Sequence, residues 1–386
     1  MRCDTKKTND SEIMSKKGLL ITALLLCNAF SYAQNFPFDK KKEFVFPDNN
    51  WEYVNDPSVQ GWDKAKLREL KQFIIDSANT TGMMVIQHGK VIFSHGDLKE
   101  LSYIASCRKS VLSILYGSYV ENGKINLNST LEQLNIDDVN GLLPIEKKAT
   151  IRNLLTARSG VYHEPSYWGD EYAIAPKRGS VKPGSFFLYN NWDFNLAGYL
   201  FEKLSGVGIY DAIDSMLARP LNMEDWDKAI QHKDADTVKS IYPAYPMWFS
   251  TRDMARIGYL MLRNGQWQGK QIISKNWVHT ITTPFTSTKE MKEFKEPYYK
   301  DGCYMRHFGY GYLWWAWDSP NNKGVYDGAY TAQGNFGQYI TVLPALDLVI
   351  AHKTKAAYER YTSNYLTILT KLIAANNSTL STTKDK

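Results

Sequence analysis

The sequence predicts an α/β fold of the α+β type, in which one sheet is assembled from both ends of the chain and a helical lobe is inserted between them. Three observations carry this. Two short apolar runs near the start, Met83 to Gln87 and Val91 to His95, are separated by His88-Gly89-Lys90, a hairpin signature. Aromatic and β-branched residues return late, in Tyr310 to Trp317, Gly337 to Leu343 and Leu348 to Lys353. The long middle has helical periodicity broken by Pro- and Gly-rich loops.

Taken in order, the chain opens with Lys16 and Lys17 ahead of an apolar run, Gly18 to Phe30, and small residues at Ser31-Tyr32-Ala33. This pattern predicts a signal peptide over residues 1–33 and an exported, periplasmic or secreted product. The run is too short to span a bilayer comfortably, and no later segment is long and apolar enough. Asp63 to Ser77 has apolar residues at helical spacing (Leu67, Leu70, Phe73, Ile74), and the hairpin follows it. Further helices are expected at Val111 to Val120, Ile151 to Ala157, Trp192 to Leu204 and Met254 to Arg263. Pro344-Ala345-Leu346-Asp347 turns between the last two strands, and Tyr358 to Ala375 reads as a closing amphipathic helix. The expected division is one catalytic domain over residues 34–386, with a sheet lobe from about 60–100 and 245–375 and a helical lobe from about 101–244. Residues 376–386 form a polar tail.

Composition narrows the function. At 386 residues, 44% hydrophobic and 22% charged, the chain has enough apolar material for a sizeable core. The formal charge is +6, and residues 1–33 carry five Lys or Arg against three Asp or Glu, which leaves +4 for the rest. That balance points to no nucleic-acid partner and leaves a small-molecule or peptide substrate. The seven histidines are scattered without ligand spacing, so no metal or other cofactor is expected. Outside the leader, Cys107 and Cys303 are read as two free thiols. The chain lacks the Gly-x-Ser-x-Gly elbow of α/β-hydrolases. Oligomeric state is not legible.

The chemistry centres on Ser106-Cys107-Arg108-Lys109-Ser110, which runs into an almost charge-free helix. A Ser and a Lys three apart share a helix face, so the lysine can reach the hydroxyl. Burial of that first turn disfavours the ammonium and equips Lys109 to take the serine's proton. A second match, Ser381 to Lys384, sits in the polar tail and has no apolar face to bury. Tyr189-Asn190-Asn191 follows the tight turn Pro183-Gly184-Ser185 and supplies a candidate proton shuttle in Tyr189, with Asn191 placed to bond the lysine or the substrate. The turn Gly334 to Gln338 precedes a late strand and can bring a backbone N–H to an oxyanion. His163, Glu164 and Asp170, in a polar loop, and Trp192 are candidates for substrate contact, as are Gln333 and Gly334.

In sequence order, Ser106 to Ser110, Thr150 to Gly160, Tyr189-Asn190-Asn191 and Gly334 to Gln338 resemble successive landmarks of the serine β-lactamase and penicillin-binding protein superfamily. The branch they are most similar to includes class C β-lactamases, related esterases, D-aminopeptidases and 6-aminohexanoate-dimer hydrolases. The resemblance runs from about Lys64 to Ile373. It implies a β-lactamase/transpeptidase-like antiparallel sheet flanked by helices, with an inserted helical lobe and the site in the cleft between. It also implies Ser106 as nucleophile, Lys109 as its activating partner, Tyr189 as proton shuttle, and an oxyanion hole formed by the N–H groups of Ser106 and Asn335. One departure bears on substrate: where β-lactamases and transpeptidases carry Lys or His before Thr-Gly, this chain has Ala332-Gln333-Gly334. A neutral residue there favours an ester or amide less anionic than a β-lactam. The rival readings are a D,D-peptidase or β-lactamase and, in another class, a non-catalytic cell-wall peptide-binding protein. The intact Ser, Lys, Tyr and Asn set argues against the last.

Overall fold

Local signals set the first elements of the computed structural model, which describes residues 44–167, 172, 175–293, 308–318, 323–355 and 364–377. Asp63 accepts from the N–H groups of Ala65 and Lys66 and so caps helix α1 (Lys64–Ser77), whose Leu67, Leu70 and Ile74 are buried. Strands β1 (Thr80–Gln87) and β2 (Lys90–Gly96) form the hairpin, with His88 and Gly89 both at positive φ, 51° and 81°. Two positive φ values in a two-residue loop give the turn whose twist matches that of the strands. The expected leader, the Ser381 to Lys384 match and Cys303 lie outside the described residues.

The late part of the chain adds five strands: β3 (Phe308–Tyr310), β4 (Trp315–Trp317), β5 (Tyr330–Gly334), β6 (Gln338–Leu343) and β7 (Leu348–Thr354). With the hairpin they make one seven-stranded antiparallel sheet in the order β2-β1-β7-β6-β5-β4-β3. The N-terminal hairpin joins through β1 to β7, with Val85 opposite Ile350, so the sheet is closed by residues far apart in sequence. Tyr310 to Trp317, expected as one strand, is a hairpin in which Tyr310 pairs with Trp315 and Leu313 turns at φ 64°. Strand β5 was not expected; Tyr-Thr-Ala-Gln-Gly is short and ends polar, and its extended form depends on pairing with β6.

Each face of the sheet carries helices. On one, helix α5 (Thr251–Leu262) packs so closely that a methyl on Gly258 would meet Val349 Cγ1 at 2.5 Å and Ile340 Cγ2 at 2.9 Å. On the other, α1 packs beside the terminal helix α7 (Tyr365–Ala374), whose Tyr365 hydroxyl donates to Thr341 Oγ1 at 2.5 Å. The intervening segment holds helices α2 (Cys107–Glu121), α3 (Ile151–Leu155) and α4 (Asn191–Ser205). The Tyr116 hydroxyl joins α2 to α4 through the Ala197 carbonyl at 2.7 Å. Ser102–Tyr103 pairs with Trp248–Phe249, tying the chain just after the first hairpin to the segment just before α5. After α5 comes α6 (Lys275–Thr282), whose Trp277 ring lies against Gly117 of α2. Among the described residues no helix is long and apolar enough to cross a membrane.

Candidate active site

Ser106 sits at the N-cap of α2, directly after Ala105 at φ 47°. A left-handed alanine is unfavourable by about 1 kcal/mol and persists only where its surroundings impose it. Here they do: the Ile104 N–H bonds to the Met247 carbonyl at 3.0 Å, and strand β5 presses on Ile104 and Ala105 from the other side. Ser106 makes no capping bond, and its Oγ accepts from Lys109 Nζ at 2.7 Å. Cys107 points into the core, where its thiol donates to the Gln338 carbonyl at 3.3 Å and burial pushes its pKa up.

Lys109 is 2% exposed. Its Nζ also donates to Tyr189 Oη at 3.0 Å, and it lies 4.6 Å from the centroid of the Tyr189 ring and 4.9 Å from that of Phe194. A hydroxyl from 80 residues further along the chain therefore meets that of Ser106 on one nitrogen. The Tyr189 ring is itself stacked on Trp315, with centroids 5.5 Å apart and planes at 26°.

The loop that delivers Tyr189 is held by the stretch Ala157–Gly160. Arg158 Nε donates to the Gly184 carbonyl at 2.8 Å, and its Nη1 reaches Thr286 and Glu290. The Leu188 N–H bonds the Ala157 carbonyl at 2.9 Å. Asn190 caps α4, accepting from the Trp192 N–H, while its amide donates to the Val161 carbonyl at 2.8 Å and to Asp193 Oδ1 at 3.1 Å. The Ser159 hydroxyl donates to the same carboxyl oxygen at 2.6 Å. Asp193 is buried, and desolvation raises its pKa well above the ordinary carboxyl value. Ser159, Asn190 and Asp193 thus anchor the turn of chain just after Tyr189. No sequence signal marks Asp193, because an acid in the first turn of a helix ordinarily reads as a solvated residue favoured by the helix dipole.

Strand β5 ends beside the nucleophile. A methyl on Gly334 would lie 2.5 Å from the Ile104 carbonyl oxygen and 3.2 Å from the Ala105 Cβ, so only glycine allows this approach. Asn335 follows at once, in the turn to β6, where Phe336 has φ 65°. The alternation of β5 then decides which side chains look toward Ser106. Ala332 and Gly334 share that face, whereas Gln333, opposite Tyr339, falls on the other face with Thr331, Thr341 and Tyr365. Gln333, expected to contact substrate, is turned away from Ser106.

The remaining candidates are distributed differently from expectation. Trp192 is fully buried, and its indole N–H donates to Asp138 Oδ2 at 2.7 Å; it belongs to the core and not to an open pocket. His163 is also buried, with Nε2 at 2.7 Å from the Val139 carbonyl and Nδ1 at 3.0 Å from that of Glu164. Both of its nitrogens therefore face carbonyl oxygens of the protein. Glu164 pairs with Lys239 at 3.3 Å on the surface. Asn191, the first residue of α4, is 9% exposed. Asp170 lies outside the described residues. Among the described residues no cluster of His, Cys, Asp and Glu is arranged to hold a metal ion.

Comparison with known proteins places this geometry. A family model described as Beta-lactamase matches residues 71–370. An uncharacterized protein of Alkalihalophilus pseudofirmus is 23% identical over 270 residues, which is 64% of this chain and 71% of that protein. A protein assigned as a 6-aminohexanoate-dimer hydrolase from Bacillus anthracis superposes with a TM-score of 0.58 at 19% identity, covering 81% of this chain and 82% of its own. EstCE1, a hydrolase with promiscuous acyltransferase activity, gives 0.57 at 15% identity over 80% of this chain and 97% of its own. At such identities the structural likeness is one of fold.

Proposed function

Because the chain belongs to the beta-lactamase family, we propose that it is a serine hydrolase of esterase or amidase type, related to the class C branch, that forms an acyl-enzyme on Ser106. The observation that carries this reading is the convergence of Ser106 Oγ and Tyr189 Oη on Lys109 Nζ, at 2.7 and 3.0 Å, with the lysine itself almost fully buried. Two hydroxyls on one buried amine make a proton relay, a need of chemistry that a binding protein does not share.

In the proposed cycle the Ser106 proton passes to the Lys109–Tyr189 pair as Oγ bonds to the substrate's carbonyl carbon, and the carbonyl π electrons move to oxygen. The N–H groups of Ser106 and Asn335 receive that oxyanion. The contact of Gly334 with Ile104 and Ala105 supports the second donor, since it brings the Asn335 turn beside the nucleophile. Collapse breaks the bond to the alcohol or amine, which leaves with a proton delivered through Tyr189. Water then repeats the steps on the acyl-enzyme: it loses a proton to the same pair, and Ser106 Oγ regains one as the acid departs. The methyl of Ala332 on the face toward Ser106 supports a substrate that needs no cation at this place, which favours esters and amides over β-lactams.

A fluorophosphonate probe followed by peptide mapping tests the assignment. Labelling of Ser106, lost in Lys109→Ala, is expected. Folded protein that stays unlabelled, or labels at another serine, overturns it.

A further inference from the structure

The turn between β5 and β6 is gripped from behind. Thr354, the last residue of β7, donates its hydroxyl to the Phe336 carbonyl, and His352 Nδ1 lies 2.8 Å from the Gly337 carbonyl. A carbonyl only accepts, so Nδ1 carries the proton. His352 Nε2 then accepts from the Thr80 hydroxyl at 2.9 Å. One neutral tautomer satisfies every partner. The ring is fully buried beside Tyr339 and Tyr365, and this burial lowers its pKa to about 4, so it stays neutral at any ordinary working pH. His352 is opposite Tyr339 in the sheet and so lies on the face away from Ser106, where it cannot touch substrate.

Asn335, Phe336 and Gly337 make up the whole turn. Its upstream end is seated where Gly334 meets Ile104, and its downstream end is fixed by bonds to two successive carbonyls. Phe336, held between them at φ 65°, has a left-handed conformation that a non-glycine residue adopts at a cost of about 1 kcal/mol. Loss of the downstream grip removes two of the bonds that hold this residue, and the Asn335 backbone just before it loses that support as well.

We propose that His352 and Thr354 are positioning residues for the reaction: through the Gly337 and Phe336 carbonyls they fix the direction of the Asn335 N–H at the oxyanion. The inference rests on the acyl-enzyme reading given above. It requires loss in kcat and not in KM, because an oxyanion donor acts when charge has developed on the carbonyl.

Two amide substitutions isolate the Gly337 bond. Asparagine places a donor near the position of Nδ1, whereas glutamine places its amide near Nε2. A merely structural role suffers about equally from either. His352→Asn is expected to keep kcat for a p-nitrophenyl ester within about threefold, and His352→Gln to lower it about tenfold or more with KM within twofold; a fully misplaced oxyanion donor costs up to about 10²–10³. Thr354→Val, a near-isosteric change, is expected to lower kcat by about tenfold with KM unchanged. Fluorophosphonate labelling of the wild type at Ser106 is measured alongside, so failure of the acyl-enzyme reading shows there and nowhere else. Given that labelling, equal kcat in the Asn and Gln variants overturns the role of His352. Should neither variant fold, unchanged kcat in Thr354→Val overturns the proposal.

Discussion

Lys109→Met separates the catalytic from the structural role of the buried lysine. Methionine keeps the length and most of the apolar stem while removing the nitrogen that Ser106 and Tyr189 share. Loss of a positioned proton acceptor costs about 10²–10⁴ in rate. We expect kcat to fall about 10³-fold, which corresponds to about 4 kcal/mol of transition-state stabilisation. Stability should move the other way. Lys109 is 2% exposed, and burying its polar amine carries a desolvation cost of about 1–3 kcal/mol that methionine avoids. Against this, two hydroxyls lose a partner at about 1 kcal/mol each. Ser106 and Tyr189 are only half-buried, so water can recover part of that loss. The net is about 0–2 kcal/mol in favour of the variant, or a Tm equal to or a few degrees above wild type. Ester hydrolysis, the rate of fluorophosphonate labelling and a thermal melt on one preparation give all three readings. A variant retaining a tenth of wild-type kcat refutes the relay. Lost activity with a Tm lowered by ten degrees or more refutes the separation of roles.

Tyr189→Phe keeps the stacking on Trp315 and loses only the hydroxyl at 3.0 Å from Lys109, so kcat should drop by several orders of magnitude while Tm stays within about 3 °C, measured by ester hydrolysis and thermal melt. Gly334→Ala forces β5 away from Ile104, where the added methyl would lie 2.5 Å from the carbonyl oxygen; kcat should fall about 10²-fold, and an unchanged kcat would show that the turn's approach to Ser106 is dispensable. Lys353 donates to the Glu100 and Phe249 carbonyls, and burial depresses its pKa from 10.5 to about 8. The unfolded chain therefore binds more protons between those values, and the contribution of Lys353 to stability is full above about 10.5 and is lost as pH falls to about 8. Melts of wild type against Lys353→Met should show the difference shifting toward wild type as pH rises through that window, and a constant difference would contradict the sign.

Local information survived the reading from sequence and relational information did not. Ser106 and Lys109 were legible because three residues on a helix fix their neighbourhood wherever the helix goes. The His88-Gly89 turn was legible for the same reason: the residue type and the backbone state are coupled within one or two positions. Tyr189 was a weaker candidate, one of 25 tyrosines, and only the fold carries its hydroxyl to Lys109. Trp192 and His163 were misjudged by proximity in sequence. Their partners, Asp138 and Val139, come from a loop 54 and 24 residues upstream that has no catalytic signature. Gln333 was misjudged because its strand was not recognised; once β5 is paired with β6, the period of two sends that side chain to the rear face.

The same alternation shows how the two halves of the proposed site depend on one sheet. On the face of β5 toward Ser106, the two residues at the end beside the nucleophile are Ala332 and Gly334, with Tyr330 further back on the same face, and this lets the backbone itself approach the nucleophile. Gln333, Tyr339, His352 and Tyr365 lie behind. A small front face brings the oxyanion turn close, and a large, hydrogen-bonding rear face keeps it from moving. Enlarging the front or trimming the rear should therefore impair the same step, acylation of Ser106, by opposite structural routes. The combined variant Gly334→Ala, Thr354→Val is expected to lose less than the product of the single losses, since a turn already displaced has no direction left to fix.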